Sequence, residues 1–206
     1  KPKIFKNSNY SLTKISIRNI ETVDFYFSLF DGFGAFNLTQ IYFDDNINIR
    51  EIPSKIFSYS NLRKIRIPSS VSKIGKSSFF CCYSLEKVIF SKESKLKIID
   101  ESAFESCSKL KKIDFPKTLS ILSKKSFAST SLKSVHLPSL IKIVEPMVFI
   151  NCNSLSKIIF EEGITELGYR SFAFNSSIET VTLPDSLTTI QQGTFEGCLS
   201  LEQIAI

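Results

Sequence analysis

A unit of roughly 23 residues recurs along this chain, and its period constrains the fold more than any other feature. When the first Leu or Ile of each unit is taken as its start, successive starts lie 22 to 26 residues apart, at Leu12, Leu38, Leu62, Leu85, Leu110, Leu132, Leu155, Ile178 and Leu201. A fixed spacing of this size is typical of a solenoid, in which each unit forms one coil that stacks on its neighbours.

Each unit opens with a short apolar pattern that predicts a β-strand. Leu62, Ile65 and Ile67 show it: an apolar residue, then two more that lie two positions apart and therefore share one face of a strand. Proline often follows, and because it has no N–H to donate to a sheet, it suits a strand end. The prolines concerned are Pro68, Pro116, Pro138 and Pro184.

The rest of the unit is equally regular. A second apolar pair is predicted at Val71/Ile74, Leu96/Ile99, Leu119/Leu122, Leu140/Ile143, Ile164/Leu167 and Leu187/Ile190. A phenylalanine follows, at Phe57, Phe79, Phe104, Phe127, Phe149, Phe172 and Phe195. Three residues later stands Cys or a small polar residue: Cys82, Cys107, Cys152, Asn175 or Cys198. One unit cannot bury these faces alone, so the pattern predicts a continuous core shared between stacked coils.

These residues also carry a resemblance to a known family. The stretch LRKIRIPSSVSKIGKSSFFCCYS, from Leu62 to Ser84, is similar to the BspA-like leucine-rich repeat, and the signature returns from Ile178 to Ser200. The resemblance covers the chain from about Leu38 to its end, and weakly from Leu12. It implies a leucine-rich-repeat solenoid of about eight repeats of 22–26 residues, a right-handed curved coil with a parallel β-sheet on the concave face.

The resemblance also implies a function. Such proteins occur at the surface of mucosal bacteria and of protozoan parasites such as trichomonads, and are associated with adhesion to host cells, matrix proteins or other microbes. We therefore expect a non-enzymatic adhesion module of a cell-surface or secreted protein, with a protein partner or an anionic glycan. The alternatives are an intracellular scaffold or signalling module, and a structural element that associates weakly with itself.

The domain organisation is predicted as one domain over residues 1–206. Residues 1–37 would form an irregular N-terminal coil, 38–200 the regular repeats and 201–206 a truncated final repeat. Aromatic residues crowd residues 20–36, where they either close the end of the core or form an exposed patch for a partner. Because the chain lacks an initiator Met and stops inside a unit, we expect a segment of a longer protein, and no apolar run reaches the length of a membrane span.

Variable residues between the buried strand positions are expected on the concave face. Residues 50–125 hold 17 basic and 7 acidic residues, whereas residues 160–206 hold 1 and 7, so the middle of the chain attracts an anionic partner such as an acidic protein segment, a sulfated glycan or an anionic lipid surface. The alternative interpretation of this basic region is that its lysines serve only to keep the protein soluble. Nucleic acid is not expected as a partner, because the basic positions lack interleaved aromatic residues on which bases could stack, with Tyr42 as the one exception. The candidate partner-binding residues are Tyr42, Lys64, Arg66, Lys87, Lys112, Asp114, His136 and Lys157.

Catalytic, cofactor and metal sites are not predicted. His136 is the single histidine, which rules out a two-histidine zinc site, and the chain has no nucleophile elbow or glycine-rich phosphate loop. The run at 44–46 reads as a solvated turn rather than a calcium loop. The cysteines are expected as buried thiols, with a Cys82–Cys107 disulfide as the alternative. Asn175 begins a glycosylation sequon but occupies a buried position.

Overall fold

The computed structural model describes residues 13–17, 37–44 and 47–206. These residues form a parallel β-solenoid of about seven turns without a helix, which confirms the predicted fold class. The aromatic stretch at 20–36 lies outside the described residues, as do residues 45 and 46 of the predicted turn, so the predictions about them remain predictions.

The described strands are short and follow one another in chain order. They are β1 (Lys14–Ile17), β2 (Gln40–Phe43), β3 (Glu51–Ile52), β4 (Lys64–Arg66), β5 (Lys73–Ile74), β6 (Lys87–Ile89), β7 (Ile98–Ile99), β8 (Ile121–Leu122), β9 (Ser134–Leu137), β10 (Ile143–Val144), β11 (Lys157–Phe160), β12 (Glu166–Leu167), β13 (Thr180–Thr182), β14 (Thr189–Ile190) and β15 (Gln203–Ala205). They form two ladders that run along different sides of the coil.

The first ladder contains the strands that the opening pattern of each unit predicts. It is made of the parallel pairs β1–β2, β4–β6, β9–β11 and β13–β15. In the coil that starts at Leu110 the corresponding segment forms no strand, yet its Lys111 carbonyl accepts a hydrogen bond of 3.1 Å from Lys133 N–H in the next coil. Exposure alternates as expected, because Ile65 is buried while Lys64 and Arg66 on either side face solvent.

The second ladder is one unbroken parallel sheet of seven two-residue strands. Its order is β3-β5-β7-β8-β10-β12-β14, and neighbouring strands pair in register, as Ile98 does with Ile121. From β3 to β12 the second residue of each strand packs into the core and is at most 1% exposed: Ile52, Ile74, Ile99, Leu122, Val144 and Leu167. In β14, the last strand of this sheet, Ile190 is 49% exposed. From β3 to β12 the second half of each unit therefore contributes a strand to a separate sheet that is anchored in the core.

The predicted pair Leu140/Ile143 is wrong by one residue. Leu140 and Ile143 are 51% and 46% exposed, whereas Ile141 and Val144 are fully buried. A turn sets this register, because Ile141 N–H donates to the carbonyl of Pro138 at 3.0 Å. The same bond joins Val71 to Pro68, Leu119 to Pro116 and Leu187 to Pro184. In each of these four coils the apolar residue that packs inward thus stands three positions after the proline.

The predicted phenylalanine slot forms a continuous stack of rings inside the coil. Consecutive ring centroids are 5.0 to 5.8 Å apart and the planes deviate from parallel by at most 29°. Phe115 and Phe160 pack edge-on against members of the stack. Because every coil presents the same ring at the same height, the stack links each coil only to its neighbours.

The turn around each stacked phenylalanine has left-handed backbone on both sides. Positive φ occurs two residues before and two residues after the ring, at Lys55/Tyr59, Ser77/Cys81, Ser102/Ser106, Lys125/Ser129, Met147/Asn151, Arg170/Phe174 and Gly193/Gly197. Glycine occupies both positions only in the last described turn. At Gly197 a Cβ atom would clash with the Phe174 ring of the preceding coil, so this position also requires glycine for space.

Where the slot three residues after the phenylalanine holds a cysteine, the thiol donates a hydrogen bond to the preceding coil. The Sγ of Cys82 lies 3.0 Å from the carbonyl oxygen of Phe57, and the Sγ of Cys152 lies 3.2 Å from that of Phe127. All five cysteines are free thiols. Burial raises the pKa of the Cys152 thiol to about 11 and that of Cys107 well above its ordinary value. These two thiols therefore serve packing and hydrogen bonding rather than nucleophilic chemistry.

Candidate partner-binding face

The outward side of the first ladder carries three columns of exposed side chains. They are the first, second and fourth residues after the start of each coil, and we call their members in the coils that start at Leu62, Leu85, Leu110, Leu132 and Leu155 the basic face. It contains eight cations, Arg63, Lys64, Arg66, Lys87, Lys111, Lys112, Lys133 and Lys157, and two carboxylates, Glu86 and Asp114. All ten are exposed, so the face presents an excess of positive charge to solvent.

The eight candidate residues predicted from the sequence all lie on this side of the molecule. Lys64 on β4 pairs in register with Lys87 on β6, so their positive charges lie side by side on neighbouring strands. His136 on β9 is in register with Ile159 on β11, and Lys157 on β11 with Ser134. Tyr42 projects from β2 with 56% of its surface exposed. Lys112 and Asp114 stand on the extended segment between β7 and β8.

Two of the predicted candidates contact a carboxylate on this side of the molecule. Lys112 Nζ lies 3.1 Å from Asp114 Oδ1, so the acidic candidate offsets a lysine of its own coil. His136 Nε2 lies 3.0 Å from Glu161 Oε1 in the following coil. The Ser139 backbone N–H, which donates to Glu161 at 3.0 Å, lowers the pKa of that carboxyl, with a smaller contribution from His136. The histidine thus lies at the surface, in contact with a carboxylate of the next coil.

Sequence reasoning missed the first of the three columns. Arg63, Lys111 and Lys133 directly follow the buried leucine of their coils, and all are exposed beside the predicted residues. Arg63 Nη2 also contacts Glu86 Oε1 at 3.2 Å, across to the next coil. The repeat unit itself could have revealed these positions. Two variable residues separate the first two buried residues of each unit, and both variable residues face solvent because the strand begins at the second of them.

The charge gradient seen in the sequence continues on the same columns. In the coils that start at Ile178 and Leu201 the first column carries Glu179 and Glu202, and the other two carry no charge. Both glutamates are exposed. The basic face therefore ends at the coil of Lys157, and the last described coils present a weakly acidic surface.

The described residues offer no geometry for a metal centre or a membrane span. Among residues 13–17, 37–44 and 47–206, no three His, Cys, Asp or Glu side chains converge as a metal site would require. Within the same ranges there is no helix with the length and apolarity needed to cross a bilayer. What the described surface offers is an ordered array of cations on a rigid ladder.

Comparison with known proteins places this architecture in context. The family model for the BspA type leucine rich repeat region matches in six copies, over residues 1–127, 27–155 and 120–206. Comparison with curated proteins found no match. A leucine-rich cell surface protein from Faecalibacterium prausnitzii A2-165 is 25% identical, with a TM-score of 0.57 over 95% of this chain and 54% of that one. This chain thus spans about half the length of that relative.

Two further solved structures share the fold. A leucine-rich-repeat protein of T. pallidum is 25% identical, with a TM-score of 0.70 over 80% of this chain and 77% of that one. The pneumococcal vaccine antigen PcpA is 21% identical, with a TM-score of 0.53 over 94% and 60%, and shows the fold alone. With its repeated strand, phenylalanine and cysteine positions and a family model that matches along its length, the chain belongs to the BspA-type leucine-rich-repeat family.

Proposed function

We propose that this chain is an adhesion module of a cell-surface protein and that it binds an acidic protein partner through the basic face. Leucine-rich-repeat proteins are generally non-enzymatic and bind other proteins. The observation that carries the finer proposal is the exposure of eight Lys and Arg side chains beside only two carboxylates over five consecutive coils. Such an excess accelerates association with an oppositely charged partner and selects against basic ones.

The scaffold supports this role because it holds the cations at fixed spacing. Lys64 and Lys87 stand on adjacent paired strands, and parallel strands lie roughly 4.8 Å apart. An extended acidic segment laid along the coil axis would meet a lysine or arginine in each of five coils. Binding costs little conformational entropy in the backbone of the basic face, since hydrogen bonds tie that backbone to both neighbouring coils.

A charge-reversal experiment tests the face. We expect the triple variant Lys64→Glu, Lys87→Glu and Lys112→Glu to lose binding to host cells, matrix proteins and a polyglutamate peptide. The matched control is Lys95→Glu, Lys97→Glu and Lys124→Glu, which changes the net charge equally at exposed residues away from the basic face. Equal losses in both triple variants would show that only total charge matters, and undiminished binding by the first would refute the assignment.

Cell-surface exposure is tested separately. The F. prausnitzii relative is described as a cell surface protein, which supports the same location for this chain. An antibody against residues 47–206 should label intact cells that express the full-length protein, without permeabilisation. Labelling only after permeabilisation would favour the alternative of an intracellular binding module.

A further inference from the structure

We infer that the N-terminal end of the basic face holds a binding cleft for a sulfated saccharide, a second ligand beside the acidic protein partner of the proposed function. The cleft has a volume of about 730 Å³, within the usual size range of small-ligand sites. It lies between β2 and β4 and extends to the loop that carries Ser91 and Glu93.

The cationic wall of the cleft consists of Arg63, Lys64 and Arg66. Arg63 is held by Glu86, whereas Lys64 and Arg66 form no ion pair with any residue that the structure describes. Two uncompensated cations on one short strand suit a sulfate group, and the planar guanidinium of Arg66 can donate two parallel hydrogen bonds to such an oxyanion. The cleft therefore favours a ligand that carries negative charge.

An aromatic ring forms a second wall of the cleft. Tyr42 on β2 occupies the position equivalent to Arg66 on β4, in the neighbouring coil. Its ring is more than half exposed, and its hydroxyl donates to Gln40 Oε1 at 3.2 Å, which holds the ring in place. A flat apolar ring with a polar edge suits the apolar face of a sugar ring better than an isolated phosphate or sulfate ion.

The remaining lining groups are suited to hydroxyl groups. Thr39, Gln40, Ser69, Asp44 and Glu93 supply neutral and acidic oxygens that can form hydrogen bonds with saccharide hydroxyl groups. A mixture of cations, acceptors and one ring is typical of an acidic saccharide site, since a simple anion would have no use for the acceptors or the ring.

The test is calorimetric titration of the purified chain with a heparin-derived tetrasaccharide. Removing two charge-assisted contacts in Lys64→Gln/Arg66→Gln should weaken binding by about tenfold or more, as should Tyr42→Ala. Tyr42→Phe keeps the ring and should retain affinity within about threefold. The control Lys95→Gln/Lys97→Gln removes the same charge at exposed residues away from the basic face and should change affinity less than about threefold.

The ligand arms distinguish the chemistry that is recognised. A desulfated tetrasaccharide should bind at least about tenfold more weakly, and inorganic sulfate should not compete at equal sulfate concentration, because neither fills both walls of the cleft. Equal losses in the cleft and control variants, or preference for polyglutamate over the tetrasaccharide, would overturn the inference, whereas the basic face is tested by its own charge-reversal variants. If the tetrasaccharide binds at the cleft but the charge-reversal triple variant still adheres to cells, the proposed function fails and the cleft stands.

Discussion

The side-chain amide nitrogen of Asn175 donates a hydrogen bond to the carbonyl oxygen of Phe149, 2.9 Å away in the preceding coil. In other coils the thiol of Cys82 or Cys152 occupies this slot and makes the equivalent bond. Asn175 also donates to Phe172 at 2.8 Å, but its Oδ1 is buried without a partner among the described residues. The slot thus requires a small donor, and asparagine brings an acceptor that nothing described satisfies.

Replacing Asn175 tests this requirement. Asn175→Cys keeps a donor toward Phe149 and removes the unsatisfied oxygen, so we expect its free energy of unfolding to lie within about 1 kcal/mol of wild type. Asn175→Ala removes the donor and should be less stable than Asn175→Cys by about 1–3 kcal/mol. Urea denaturation measures both under reducing conditions. Equal stabilities would show that the slot selects size alone.

Left-handed backbone at non-glycine residues predicts a stabilising substitution. Lys125 has φ of 57°, whereas the adjacent Lys124 does not have positive φ. Lys125→Gly removes the crowding between Cβ and backbone and should raise the free energy of unfolding by about 0.5–1 kcal/mol. Lys124→Gly is the matched control and should lower it by a similar amount, since there glycine only adds freedom to the unfolded chain. A loss of stability in both variants would contradict this interpretation.

The corrected register of the second ladder predicts opposite tolerances at two adjacent residues. Leu140→Ser should change stability by less than about 1 kcal/mol, because Leu140 faces solvent and Ser70 and Ser186 occupy the equivalent position after Pro68 and Pro184. Ile141→Ser should cost more than about 3 kcal/mol, since it leaves a cavity and a buried hydroxyl. Thermal denaturation of the two variants decides the register, and a larger loss for Leu140→Ser would reverse it.

The buried thiol of Cys152 predicts a stability change at alkaline pH. Its pKa is raised to about 11 in the folded chain from an ordinary value near 9, so the folded state holds the proton more tightly. The stabilisation is complete below about pH 9 and is lost as the pH rises from about 9 to 11, by at most roughly 2–3 kcal/mol. Cys152→Ser should flatten this part of the stability profile.

Denaturation of both chains at several pH values, with a reducing agent present, isolates the effect of this thiol. Lysine and tyrosine titrations occur in both chains and cancel in the difference between them. Serine is a suitable replacement because Ser60 fills the same slot in the coil of Phe57. Parallel profiles from about pH 7 to 11 would mean that Cys152 does not govern alkaline stability.

Sequence reasoning predicted the features that repeat. Ile65, Phe104 and Cys107 recur at equivalent positions of their units, and identical units stacked in parallel must bury identical positions. The ring stack and the exposed lysine positions of the first ladder follow from the same periodicity. A chain with this period buries its apolar residues by stacking its units as successive coils, and for that reason the solenoid was predictable from the sequence.

The tertiary structure decided the features that depend on how neighbouring coils meet. The turn after Pro138 determines that Ile141 and not Leu140 enters the core. The position of Glu161 in the next coil determines which side chain His136 contacts. Positive φ at residues such as Lys125 is imposed by hydrogen bonds to adjacent coils rather than by residue type. The cleft beside Tyr42 likewise exists only between two stacked strands, because its walls belong to different coils of the chain and meet through packing.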